Sequence, residues 1–421
     1  VTGRPEGRAA PAGRGGGPGR LAAPLLALGS LALSFAAGEA AVRLALGRRG
    51  IEALPHAFLD ESAGRKAAWR ARREAASTPD PYGFDAPDPR LGWRLAPGVD
   101  VRSSKPGSYD VRVGSNPQGL RGSRPASLAP SPGVVRVAIF GDSQTFGEGV
   151  GDDETFAAVL GRGRPSLEVL NFGVHGYGTD QMLLRWREDG RRFHPDVVVL
   201  AIAWFHADRN ASDFTFYAKP RFAFDGDGLI EPPARDIPPP ARLAVLPADP
   251  SETPCGLADR SALVRWLWQR VLNLRAREAQ HPDGAPWRLT RALVARFAEE
   301  VRREGARFVL LDIDDERPEL GADLRRLAGE IGADYVAVGP AVSAAERAGE
   351  SVRLVGDRHW SARGHEVVAA ELGHRLCEAI AGACAPGAAA GADAARGAPA
   401  GRPGTPSSEP ATAGAGSDPG A

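Results

Sequence analysis

Ser143 sits in the turn GDSQTFGEG (141–149), directly after the apolar run VVRVAIF (134–140). More than two hundred residues later, DRHWSARGH (357–365) offers Asp357 and His359 just ahead of a helical pattern. Between them NFGVHGYGTDQ (171–181) supplies closely spaced glycines. A serine hydroxyl, an imidazole and a carboxylate are the parts of a nucleophilic acyl-transfer site. The hydroxyl is a weak nucleophile until a base takes its proton, and the carboxylate orients that base. The bland alternative makes Ser143 a turn serine, with Asp357 and His359 capping the last helix. Three such blocks in one chain make it the poorer reading.

Other chemistries lack their residues. The sequence has no GxxxxGK[ST], and Gly173, Gly176 and Gly178 form GxxGxG, the wrong order for a dinucleotide fingerprint. His365 and Glu366 begin an HExx run, but Ala369 stands where a zinc-protease helix needs histidine. Asp312, Asp314, Asp315 and Glu316 form an acidic cluster that could hold a metal but is read as a solvated strand-end loop. No metal and no cofactor is expected.

The elements that must position these residues follow from patterning. Apolar runs at 134–140, 167–171, 197–203, 307–312 and 334–338 have the length and character of buried parallel strands. Helix-length amphipathic segments at 179–193, 287–304, 317–331 and 362–382 separate or follow them. This alternation predicts a doubly wound α/β sheet, whose ligands bind beyond the carboxyl ends of the strands. Ser143, Gly173 and His206 each follow one of the first three strands. The connection 204–286 is too long for a simple loop. It carries an aromatic cluster (Phe214, Phe216, Tyr217, Phe222, Phe224) and a helical stretch at 261–278, and reads either as a lid or as a surface insertion. Trp266 and Trp268 within it are read as packing residues.

Composition bounds the rest. The 421 residues are 43% hydrophobic, enough for a sizeable core, and the formal net charge of +0 points to no nucleic-acid partner. Residues 21–38 carry no charge and the apolar character resumes after Glu39, so 21–46 is expected to be a transmembrane signal anchor, a cleaved signal peptide being the alternative. Residues 1–20 and 385–421 are expected to be disordered low-complexity tails, 47–87 a stalk, and 88–384 the folded domain. Cys255, Cys377 and Cys384 show no CxxC pairing and predict neither a zinc site nor a disulfide framework.

The three blocks, with DPRLGWRLAPG (88–98) and NPQGLRG (116–122), resemble the GDSL/SGNH hydrolase superfamily, in particular its membrane-anchored bacterial members. The resemblance spans about 90–375. It implies a flavodoxin-like three-layer α/β/α sandwich with a mainly parallel five-stranded sheet. It also implies a Ser143–His359–Asp357 triad and an oxyanion hole built from the backbone N–H groups of Ser143 and Gly173. The family's third donor is an asparagine after the third strand; AIAWFHADRN (201–210) places His206 nearest to it, with Asn210 four residues on. The aspartate lies two residues before the histidine, where the archetypal block has three. Such a protein would be an ester hydrolase acting on an acylated carbohydrate or lipid, held in the inner membrane with its catalytic domain outside the cytoplasm. The rival readings are a polysaccharide O-acetyltransferase fed by a multi-spanning acyltransferase partner, and a catalytically silent envelope scaffold or glycan-binding protein.

Overall fold

The computed structural model describes residues 19–379, except 56, 58–62, 67–68, 70–82, 163, 226–227, 233–236, 239–255, 280 and 315. The expected tails lie outside these residues except for 19–20, as does about half of the expected stalk.

Its frame is a five-stranded parallel sheet: β5 (Val135–Phe140), β6 (Leu167–Asn171), β7 (Val197–Ile202), β10 (Arg307–Asp312) and β11 (Asp334–Ala337). Their spatial order is β6-β5-β7-β10-β11, every pairing parallel. Each strand matches an apolar run in the sequence to within a residue or so. That legibility has a cause: a parallel strand covered on both faces needs apolar side chains in both directions, and all six residues of β7 are buried. Along β5, Val137 and Ile139 join one core layer while Ala138 and Phe140 join the other. The order reverses direction between β6-β5 and β7, and in open α/β sheets that switch point is where sites form.

In chain order the helices are α1 (Gly19–Glu52), α2 (Ser143–Phe146), α3 (Phe156–Arg162), α4 (Thr179–Glu188), α5 (His206–Asn210), α6 (Gly256–Arg260), α7 (Ala262–Ala279), α8 (Ala285–Arg303), α9 (Pro318–Glu330), α10 (Gly339–Arg347) and α11 (Ala362–Ala379). On one sheet face α4 and α8 seat Trp186 and Phe297 around Phe140, with ring centroids 6.1 and 5.5 Å away. Burying each such ring contributes about 1.5–3 kcal/mol. On the other face Phe156 of α3, Trp360 and Leu372 of α11 close over Val137 and Ile139.

Two antiparallel hairpins precede the sheet: β1 (Asp85–Asp88) with β2 (Gly92–Leu95), and β3 (Asp100–Lys105) with β4 (Tyr109–Gly114). A third, β8 (Ala223–Phe224) with β9 (Leu229–Ile230), lies in the long connection. The first two pack onto the sheet's carboxyl edge. Trp93 Nε1 donates to His175 O at 3.1 Å, and the Tyr177 hydroxyl donates to Trp93 O at 2.5 Å. Buried Arg121 donates to Phe146 O and Val150 O, tying the stretch after β4 to the turn that carries Ser143.

Helix α1 contains a segment, Ala23–Glu52, long and apolar enough to cross a membrane, with mean hydropathy 1.7 and its apolar side chains exposed. Gly47, at φ 62°, kinks it near its end. Where the expected stalk is described it packs on the domain: Trp69 is buried, edge-on to Phe214 at 6.0 Å. Cys377 is disulfide-bonded, a departure from the expectation that the cysteines form no bridge. Spacing along the chain does not report which thiols the fold brings together.

Candidate active site

The turn that carries Ser143 is built by neighbours that leave no room for alternatives. A Cβ on Gly141 would lie 2.0 Å from Thr145 Oγ1, so only glycine passes between β5 and α2. Asp142 caps α2, its Oδ1 accepting from Gln144 N at 3.1 Å. One turn later Gly147, at φ 86°, ends the helix. Ser143 thus stands at the head of α2, 8% exposed.

Asp357 and His359 arrive on a loop that folds back on itself before α11. Ser361 N donates to Val352 O, Leu354 N to His359 O, and Asp357 N to Leu354 O. Gly364 sits where a Cβ would be 2.2 Å from Val352 O, which lets α11 start hard against that loop. Gln144 bridges it to the helix that Ser143 begins, accepting from Trp360 N at 3.2 Å.

The three groups meet in a line. His359 Nε2 is 2.8 Å from Ser143 Oγ, and His359 Nδ1 is 2.6 Å from Asp357 Oδ1. The same carboxylate oxygen accepts from His359 N at 3.0 Å. Asp357 Oδ2 accepts from Lys105 Nζ at 2.6 Å. Burial alone would push the Asp357 carboxyl up. The Lys105 bond, the His359 backbone bond and the facing imidazole outweigh it and hold the group well below the usual carboxylate range. A permanently ionised Asp357 favours the imidazole tautomer with its proton on Nδ1, leaving Nε2 to accept from the Ser143 hydroxyl.

The other expected donors are placed differently. Gly173 N–H, expected to face an oxyanion, donates to Asn171 Oδ1 at 2.9 Å. In the same loop Gly176 takes φ 74°, and among the described residues its N–H meets no acceptor. His206 is fully buried; its Nδ1 accepts from Ala203 N at 3.2 Å, so its proton lies on Nε2, 3.4 Å from Asp142 Oδ2. That distance and alignment make an electrostatic contact, not a formed hydrogen bond. Burial lowers the His206 pKa, against the pull of Asp142, which keeps the ring neutral. His206 therefore braces Asp142, the residue before Ser143, and its proton faces that carboxylate. Asn210 is equally occupied, donating to Thr290 Oγ1 at 2.9 Å.

Asp142 itself is fully buried and accepts from Arg209 Nη1 at 2.7 Å. Burial would raise its pKa, but His206 and Arg209 together hold it below the normal carboxylate range. Arg209 also donates to Tyr177 O at 2.9 Å, linking the Ser143 turn to the glycine loop. Patterning alone did not single out Lys105, Asp142 or Arg209. Only Asp142 carried a signal, its place inside GDS. Of the aromatic cluster in the long connection, Phe214, Tyr217 and Phe222 are buried, while Phe216 is 40% exposed and lies 5.2 Å from the His175 ring beside the glycine loop.

No protein-family model and no curated protein matches the sequence. Among solved structures the chain is similar to a putative lipolytic protein of the G-D-S-L family from Desulfitobacterium hafniense, at 12% identity over 57% of this chain and 98% of that one, TM-score 0.34. It is also similar to a catalytic mutant of an acetylxylan esterase from Geobacillus stearothermophilus, at 15% identity over 58% of this chain and 94% of that one, TM-score 0.34. A third is TesA, at 13% identity over 58% of this chain and 99% of that one, TM-score 0.35. At such low identity the likeness does not reach the chemistry, which the side chains themselves must supply.

Proposed function

We propose that this chain is a serine-dependent ester hydrolase of the GDSL/SGNH type, with Ser143 as nucleophile, His359 as general base and Asp357 as the orienting acid. The observation that carries the reading is the unbroken series Ser143 Oγ–His359 Nε2–His359 Nδ1–Asp357 Oδ1 at 2.8 and 2.6 Å. Ser143 Oγ attacks the ester carbonyl as its proton passes to Nε2, and Asp357 stabilises the resulting imidazolium. The imidazolium protonates the leaving alcohol. Water then attacks the acyl carbon as it gives a proton to Nε2, and Nε2 returns that proton to Ser143 Oγ as the acid leaves; with a sugar hydroxyl in place of water the same cycle transfers the acyl group.

The developing oxyanion is assigned to Ser143 N–H; Gly173 N–H, the second donor the resemblance implies, must give up its bond to Asn171 to take part. Each such donor contributes ~10²–10³ in kcat. Lys105 holds Asp357 in place from the β3–β4 hairpin. The substrate is assigned to the O-acylated carbohydrate or lipid class of the cell envelope. Two features support an extracytoplasmic domain behind a membrane anchor: the apolar segment of α1, and the disulfide at Cys377, a bond that persists in oxidising compartments.

The test is a fluorophosphonate probe applied to the detergent-solubilised full chain, alongside Ser143→Ala and His359→Ala. Labelling is expected in the wild type and absent in both variants. An unlabelled wild type that hydrolyses no short acyl ester overturns the reading.

A further inference from the structure

The packing of α1 against α7 has a consequence for where the long connection sits. Glu39, the first charged residue after the apolar run, receives the start of α7. Its Oε2 accepts from Ser261 Oγ at 2.7 Å and Leu263 N at 2.8 Å, and its Oε1 from Ala262 N at 3.0 Å. Arg43 donates to Arg260 O at 3.0 Å. A Cβ on Gly38 would fall 2.9 Å from Leu263 Cδ2, so the last residue of the apolar run and α7 are in direct contact.

From that contact a stripe runs along α7. Leu263, Leu267, Val271 and Leu274 follow one another at four- and three-residue steps, the spacing of one helical face. Past Leu263 the stripe is uncovered: Leu267 is 50%, Val271 36% and Leu274 64% exposed. Arginines flank it, Arg270 and Arg277 on one side and Arg275 on the other. Arg270 lies over the Trp266 ring at 4.7 Å and Arg275 over Trp268 at 5.2 Å. A leucine seam edged by arginine and tryptophan is the pattern of a helix lying in a membrane interface, with the seam among acyl chains and the cations among phosphates.

We infer that α7 lies in the membrane surface beside the exit of α1, its leucine stripe in the lipid and its arginines on anionic headgroups. The inference rests on reading α1 as the membrane-crossing helix. It is the continuity of the stripe with Gly38, where α1 leaves the apolar run, that selects a bilayer as occupant over a soluble partner. Its consequence is that the long connection is held at the membrane by two elements, which limits how far the Ser143 site can swing from the bilayer.

The experiment uses the full chain in vesicles of phosphatidylglycerol and phosphatidylcholine whose acyl chains are brominated close to the headgroup. Bromine quenches tryptophan on contact. Helix α1 has no tryptophan; Trp69, Trp93, Trp186, Trp287 and Trp360 are buried, and Trp204 is half-buried against the core. The expected result is quenching relative to unbrominated vesicles that is abolished in Trp266→Phe/Trp268→Phe and weaker in pure phosphatidylcholine. Quenching that survives the double substitution, or none in a chain that resists carbonate extraction, overturns the inference while leaving the anchor standing. A chain released by carbonate overturns both. Should the stripe instead seat a second copy, quenching will be absent and the solubilised protein will weigh twice 44.2 kDa until Leu267→Asp/Leu274→Asp halves it, which also overturns it.

Discussion

Asp142→Asn isolates what the buried charge beside the nucleophile does. The amide keeps an oxygen for Gln144 N, so the cap of α2 survives. What disappears is the anion facing Arg209 Nη1 at 2.7 Å and His206 Nε2 at 3.4 Å, at a site with no solvent exposure. Breaking a buried ion pair from one side costs ~3–5 kcal/mol. The Arg209 side chain is 20% exposed and keeps some contact with water, so the expected loss is at the lower end, ~3 kcal/mol at about pH 7. The sign of the pH dependence follows from the depressed pKa. An acid that is stronger folded than unfolded contributes its full stability above the unfolded value of about 4 and loses it as pH falls toward the folded one. The gap between wild type and variant should therefore be level from about pH 7 to 5 and shrink below about pH 4. Urea unfolding of the solubilised full chain, followed by tryptophan fluorescence across that range, measures it. Contributions from other titrating groups appear in both proteins and cancel in the difference. A gap that stays constant into acid would show that shape, not charge, is what Asp142 supplies; a gap under ~0.5 kcal/mol at about pH 7, within the ordinary surface-substitution range, would refute its structural role altogether.

Three further outcomes are expected. Asp357→Asn should keep the fold and lower kcat by ~10⁴, because the amide no longer selects the Nδ1–H tautomer of His359; steady-state ester hydrolysis checks this. Lys105→Met should be mild, since the lysine is about half exposed and water screens it: an ion pair of at most ~1 kcal/mol corresponds to a loss of about fivefold in kcat/KM, and a loss above a hundredfold would mean Lys105 touches substrate. His365 is buried, with its Nδ1 accepting from Phe156 N, and burial followed by the nearby Arg121 and His359 charges lowers its pKa to about 3. Unfolding therefore takes up a proton there between about pH 6.5 and 3, so wild-type stability falls with acid over that window. His365→Gln should flatten that part of a melting-temperature profile.

How much of this was legible beforehand divides by the kind of signal each feature leaves. The five sheet strands were readable because a strand covered on both faces must be apolar throughout. Ser143 and Gly173 were readable because they stand just past the ends of two of those strands, and Asp357 and His359 because they stand just ahead of the last helix. The β1–β4 hairpins left no comparable mark: β3 is DVRSSK, largely exposed and charged, so neither an apolar run nor an alternation announces it. Those hairpins nonetheless bring Lys105 to Asp357, two groups separated by 252 residues of chain.

The oxyanion donors mark the boundary most clearly. The chain's own residues determined that a serine, a histidine and an aspartate of the right types would stand at the edge of a parallel sheet, because side-chain identity and strand hydrophobicity are properties of the sequence. Whether a backbone N–H is free is not such a property. Gly173 and Gly176 are the same residue type in one short loop, yet Asn171 takes the first N–H while the second meets no acceptor among the described residues. His206 could have donated into the site, but Ala203 N occupies one ring nitrogen and Asp142 faces the other. Those choices were made only by tertiary structure, since each buried donor is claimed by whichever acceptor the packed chain brings within reach.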